Sequence, residues 1–227
     1  MTRPCVLFDL DGTLTDADHL HHDAFNLVLR RFDRSIDADF YKSHVMGHAN
    51  TVIFETLFPG GAVDAHAELA NEKEAAFRQL ASVLTPAAGL LDLLDVLARR
   101  GIACGVVTNA PRQYAVHELE ALGMAQRFDT IVLGEELAFA KPHPLPYLTG
   151  LERLGAAADC SVAFEDSLSG LRSAKAAGLL TVGLTTSLPA QRLLDEGADL
   201  AIADYTDARL APLLLARLVP DITVAVF

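Results

Sequence analysis

Four short segments place acidic, hydroxyl and ammonium groups at points far apart in the chain: Asp9-Leu10-Asp11-Gly12-Thr13, Thr108-Asn109, Lys141-Pro142 and Glu165-Asp166-Ser167. Taken singly, each has an ordinary reading. An Asp-Gly pair makes a turn, and a lysine before proline is a solvated loop residue. Thr108 or the Glu165–Ser167 segment can cap a helix. Brought to one place, the same groups become chemistry, because clustered carboxylates repel one another unless a proton or cation intervenes. A donor set made only of oxygens favours a hard ion such as Mg²⁺.

What brings them to one place is the alternation of elements. Short runs rich in Val, Leu and Ile occur at Cys5–Phe8, Ile102–Val107, Thr130–Leu133, Val162–Phe164, Thr181–Leu184 and Leu200–Ala203. Such runs suit strands covered on both faces. Helical patterns fall between them, at Leu90–Arg99, Arg112–Leu122, Pro146–Leu154, Leu168–Ala177, Ala190–Glu196 and Asp207–Leu218. Gly101, Gly123, Gly155, Gly178 and Gly197 follow five helical runs, where a left-handed cap favours glycine. The pattern predicts an α/β fold with a doubly wound, mostly parallel, Rossmann-like sheet. In such a sheet the site forms beyond the carboxyl ends of the strands; three of the four segments end predicted strands, and Lys141-Pro142 starts a loop between the second and the last of them.

One stretch breaks the alternation. Residues 15–84 carry helical patterns at His19–Phe32, Asp37–Val45, Asn50–Leu57 and Ala65–Leu80, with Phe58-Pro59-Gly60-Gly61 as a turn. This reads as a helical insertion between residues 1–14 and 85–227 of the α/β core. The tail Ile222–Phe227 reads either as a late strand or as disordered chain.

Composition excludes several functions. The 227 residues are 51% hydrophobic and 21% charged, enough to bury a sizeable core without any Trp. No apolar run approaches the ~20 residues a membrane span needs. Cys5–Phe8 runs straight into acidic residues with no cleavage site, so a cytoplasmic protein is expected. The three cysteines show no paired spacing and read as reduced thiols. A net charge of −12 argues against nucleic acid, which rewards clustered Lys and Arg. The same field repels phosphate, so a phosphate site here must supply its own local cation.

In that order and strand context, the four segments resemble the four motifs of the haloacid dehalogenase-like superfamily. The run Glu165–Ala174 extends the last motif, and the resemblance spans nearly the whole chain. With its helical insertion, the chain is similar to the branch containing β-phosphoglucomutase and the phosphoglycolate and sugar-phosphate phosphatases. The resemblance implies Asp9 as nucleophile and Asp11 as general acid, then general base. It implies Thr108 and the Asn109 backbone as phosphoryl ligands, and Lys141 as the neutralising cation. Asp9, Asp166 and the Asp11 main-chain carbonyl would hold Mg²⁺, with Glu165 supporting them. The insertion would be a cap, with His21 and Lys73 reaching the substrate.

The resemblance departs at Asn50, where the mutase carries an arginine for a second phosphate; an amide there forfeits the bidentate fork. A phosphatase acting on a small phosphomonoester, as a monomer or homodimer, is therefore favoured over a β-phosphoglucomutase-like isomerase. A metal-free dehalogenase is opposed by Asp11 and Asp166, and a silent binding module by the intact motifs.

Overall fold

The computed structural model describes residues 3–15, 18–45, 50–80 and 84–219. The chain forms two compact units, Met1–Asp16 with Thr85–Phe227, and Ala17–Leu84. The expectation for Ile222–Phe227 lies outside the described residues.

In chain order, β1 (Cys5–Phe8) precedes four helices of the second unit, α1 (Asp18–Leu29), α2 (Ala38–Phe40), α3 (Asn50–Leu57) and α4 (Val63–Leu80). The first unit resumes with α5 (Leu90–Arg99), β2 (Ala103–Thr108), α6 (Arg112–Ala121) and β3 (Thr130–Leu133). It continues through α7 (Leu145–Leu154), β4 (Val162–Glu165), α8 (Leu168–Ala176) and β5 (Leu180–Leu184). It ends with α9 (Ala190–Asp195), β6 (Leu200–Ile202) and α10 (Leu210–Leu218).

Among the described residues six strands form one sheet in the order β3-β2-β1-β4-β5-β6, and every pairing between them is parallel. All four residues of β1 and all four of β4 are buried, as strands covered on both faces must be. Connections leave β1 and β4 toward opposite edges, so a crevice opens beyond their carboxyl ends. Asp9 follows β1 there, and its N–H donates to the Phe164 carbonyl at 2.9 Å, locking the two strand ends together. Behind them Phe8 and Phe164 stack with ring centres 5.1 Å apart. The five glycines expected to end helices all have positive φ.

The first unit pins the place where its chain departs and returns. Thr15 Oγ1 donates to the Thr85 carbonyl at 2.7 Å, and the Ala87 N–H donates to the Leu14 carbonyl at 2.8 Å. The helical unit has its own apolar core, in which Phe25, Leu29, Ile53, Phe54 and Leu69 are buried. The stretch expected as one helix over Asp37–Val45 is a single α turn followed by a wider π turn over Tyr41–Val45. Among the described residues no helix is long and apolar enough to cross a membrane.

Candidate active site

Beyond the carboxyl ends of β1, β2 and β4 the structure gathers seven of the expected residues in one unit. Asp9, Thr108, Lys141, Glu165 and Asp166 are buried, Asp11 is half-buried, and Asn109 is exposed. One carboxylate oxygen from each of Asp9, Glu165 and Asp166 lies within 4.8 Å of the others.

Lys141 is the hub. Its ammonium donates to Asp9 Oδ1 at 2.5 Å and to Glu165 Oε1 at 2.6 Å, and it lies 5.3 Å from the centre of the Tyr147 ring. Burial works to discharge it, but the Asp9 and Glu165 carboxylates outweigh burial and hold the ammonium above its ordinary range. Asp9 shows the opposite balance. Burial pushes its carboxyl up and Lys141 opposes the rise, while Glu165 and Asp11 add to it, leaving the group at about 8. Three buried carboxyls, Asp9, Glu165 and Asp166, with the half-buried Asp11 close by, cannot all stay ionised on the one Lys141 ammonium without further positive charge. The donors are hard oxygens, and the floor is shaped for something small: a Cβ on Gly12 would stand 2.2 Å from Asp166 Oδ2. Gly12 also has φ +70, so glycine is required there on two counts. Both features fit a Mg²⁺ site.

Several supports lie outside the four motifs. The Tyr147 hydroxyl donates to Glu165 Oε1 at 2.6 Å, joined from within the fourth motif by Ser167 Oγ, which donates to Glu165 Oε2 at 3.2 Å. With Lys141, these occupy both oxygens of Glu165 and set it as an anchor behind the site. Its carboxylate lies where a Cβ on Gly170 would fall, 1.9 Å away, which explains a glycine inside α8. The loop after β5 adds Ser187, whose hydroxyl donates to Asp166 Oδ2, and Thr186, whose hydroxyl donates to the Gly12 carbonyl at 2.6 Å. Sheet order alone brings that loop beside β4, so no local signal could have flagged it.

The second motif divides its work. Thr108 Oγ1 accepts the Ala110 N–H at 2.9 Å and keeps its own proton to donate. The Asn109 side chain clasps the Lys141 peptide, accepting its N–H at 3.1 Å and donating to its carbonyl at 3.2 Å. Asn109 thus positions the lysine as well as offering a backbone N–H. The Ser167 hydroxyl accepts the Gly170 N–H at 3.1 Å, so the ordinary helix-cap reading of this segment also holds.

Around Asp11 lies a second buried cluster. The Tyr114 hydroxyl donates to Asp11 Oδ1, and Glu118, one turn further along α6, lies alongside. Glu118 is fully buried, and neither of its oxygens has a hydrogen bond of normal geometry among the described residues. Burial raises its acid well above the usual range, and the Asp11 charge adds to this.

His21, Asn50 and Lys73 lie in the helical unit, where they meet through Glu74. Lys73 Nζ stands 2.7 Å from His21 Nδ1 and 3.0 Å from Glu74 Oε1, and Asn50 Nδ2 donates to that same oxygen at 2.5 Å. An ammonium can only donate, so His21 accepts at Nδ1 and carries its proton at Nε2.

Residues 6–184 match the family described as haloacid dehalogenase-like hydrolase. The chain is 34% identical over 210 residues to validoxylamine A 7'-phosphate phosphatase of Streptomyces hygroscopicus subsp. limoneus, covering 90% of this chain and 95% of that protein. It is 29% identical over 199 residues to the phosphorylated carbohydrates phosphatase of Thermotoga maritima, covering 85% and 91%. Among solved structures, CbbY of Rhodobacter sphaeroides in complex with phosphate superposes with a TM-score of 0.79 at 26% identity, covering 91% of this chain and 96% of that one.

Proposed function

Because this chain belongs to the haloacid dehalogenase-like hydrolases and is a phosphoric monoester hydrolase, we propose that it is Mg²⁺-dependent, works through an aspartyl-phosphate on Asp9, and acts on a small phosphomonoester. The observation that carries this reading is the convergence on Asp9: Lys141 at 2.5 Å, with Asp166 and Glu165 in one donor set around it.

Asp9, Asp166 and the Asp11 main-chain carbonyl would hold Mg²⁺, which supplies the charge neutralisation a carboxylate needs to meet a phosphate dianion. The remaining work falls to side chains. Thr108 and the Asn109 N–H take phosphoryl oxygens, and Lys141 balances their charge. An Asp9 oxygen forms a bond to phosphorus while the ester P–O bond breaks, and Asp11 gives its proton to the departing oxygen. Asp11, now a carboxylate, takes a proton from water as that water attacks phosphorus. The Asp9–phosphorus bond breaks, and inorganic phosphate leaves.

Residues 17–84 are read as a cap that closes over the phosphate and meets the rest of the substrate. Asn50 bears on what that substrate is. Its amide is clasped to a carboxylate, Glu74, at 2.5 Å. An anion beside the position where the mutase grips a second phosphate disfavours a bisphosphate and accepts hydroxyl donors. This supports a monophosphorylated carbohydrate or a phosphoglycolate-like ester, in keeping with the relatives' substrates. The free thiols fit a reducing compartment, and we read the protein as cytoplasmic.

Phosphate release from a panel of sugar phosphates, phosphoglycolate, nucleotides and glucose 1-phosphate tests the reading. Turnover should appear with Mg²⁺ and vanish in EDTA; full activity after exhaustive chelation would overturn the metal. Asp9→Asn should lose at least ~10⁴-fold with the fold intact. A tenth of the activity remaining would end the aspartyl-phosphate mechanism.

A further inference from the structure

We propose that Tyr114 is a positioning residue for the proton transfers at Asp11. The inference rests on the reading of Asp11 as general acid and base, and it goes beyond the four motifs. Tyr114 is buried on α6, and its hydroxyl donates to one particular oxygen of Asp11, Oδ1. A carboxyl with a fixed donor on one oxygen is held in rotation and carries its acidic proton on the other. Asp11 must give that proton to the leaving oxygen and then collect one from water, so both transfers are confined to Oδ2. Misorientation of this group is costly because proton transfer is effective only within hydrogen-bond reach.

Three further observations make Tyr114 more than a core residue. Its hydroxyl reaches across 103 residues of sequence to donate to Asp11, a long-range contact to the acid rather than a local one within α6. Helix α6 follows directly on Thr108-Asn109, so the element that starts at the phosphoryl ligands also reaches the acid. One turn along α6, the fully buried Glu118 interacts electrostatically with both Tyr114 and Asp11. A polar group at that depth serves the cluster rather than the apolar core.

Leaving-group dependence tests this directly. An alkyl phosphate needs a proton on its departing oxygen, whereas p-nitrophenyl phosphate expels a stable phenolate and needs little help. The quantity kcat/KM reports the first transfer, and the ratio of the alkyl to the aryl value does not depend on how much of a sample is folded. Tyr114→Phe keeps the ring and removes the hydroxyl; it should lower that ratio by about tenfold, and Asp11→Asn by about a hundredfold or more. A Tyr114→Phe ratio unchanged while Asp11→Asn shifts would overturn the role of Tyr114 and leave that of Asp11 standing. An unchanged ratio in Asp11→Asn would remove the acid itself, and this proposal with it. A Tyr114→Phe protein that cannot fold would make Tyr114 a residue of the core and likewise end the proposal.

Discussion

Among the described residues two lysines are withdrawn from water, one in each unit, and they are held in different company. Lys141 is 7% exposed and sits between two carboxylates, with the Tyr147 ring beside it. Lys73 is 2% exposed and meets Glu74, the neutral nitrogen of His21, and the rings of Phe25 and Phe77 at 5.0 and 5.5 Å. The first setting is anionic and rigid, as suits a charge that must stay fixed while a phosphoryl group moves past it. The second mixes one anion with aromatic faces and a histidine, as suits a group that reads the uncharged part of a molecule. A buried lysine is thus no single signal; under the proposed function its neighbours assign Lys141 to chemistry and Lys73 to recognition.

The sharpest way to break this contrast is to remove Lys141. Lys141→Met keeps the length of the side chain and loses the charge, leaving Asp9 and Glu165 facing each other. Phosphate release should fall by about 10³-fold, and by the same factor on a sugar phosphate and on p-nitrophenyl phosphate, since both present the same phosphoryl group. Unequal losses would place Lys141 in recognition and dissolve the contrast. The thermal midpoint should also fall, because a buried anion stripped of its partner costs on the order of 3–5 kcal/mol before it takes up a proton.

The two units also differ in how much of them could be read in advance. In the α/β unit three of the four motifs stand at the ends of buried strands, and parallel strands deliver their carboxyl ends to one rim. Asp9, Thr108 and Asp166 were legible for that reason, and Lys141 from its place in the order of the four segments. Tyr147, Ser187 and Thr186 were not, because each contributes one hydroxyl from an element that only the sheet order brings near. Tyr114 and Glu118 were hidden differently, in a helix whose pattern gives no hint that two polar residues point inward. In the helical unit the longer helices were legible from their apolar periodicity. The network around Glu74 was not, since an acidic residue on an amphipathic helix ordinarily faces water. Likewise the π turn over Tyr41–Val45 interrupts a stretch whose apolar spacing suits a continuous helix.

Lys73 is the milder test. If residues 17–84 form the proposed cap, binding energy from the non-reacting part of the substrate closes it and positions the phosphate. Lys73→Ala should then lower kcat/KM for the preferred substrate by roughly ten- to a hundredfold, about 1.4–2.7 kcal/mol. p-Nitrophenyl phosphate, which engages a cap little, should be nearly unaffected. His21→Ala should show the same pattern more weakly, since it touches Lys73 by one hydrogen bond and Phe77 by stacking at 3.9 Å. Equal losses on both substrates would make the two lysines alike and the contrast false.

The smallest effect expected is also the one that separates the two enzyme classes this branch contains. Asn50 now satisfies Glu74 Oε1, an oxygen that Lys73 also reaches. Asn50→Arg would replace a neutral amide by a fork that can serve Glu74 or a second phosphate, but hardly both at once. The gain in affinity for a hexose bisphosphate should therefore be slight, about three- to tenfold by competition binding, roughly 0.7–1.4 kcal/mol. Adding Glu74→Gln frees the fork from its internal partner and removes the nearby anion, so the double variant should bind the bisphosphate more tightly than the sum of the two single changes. Strict additivity would mean that Glu74 does not compete for the fork. It would then leave the preference for a monophosphate resting on the missing arginine alone.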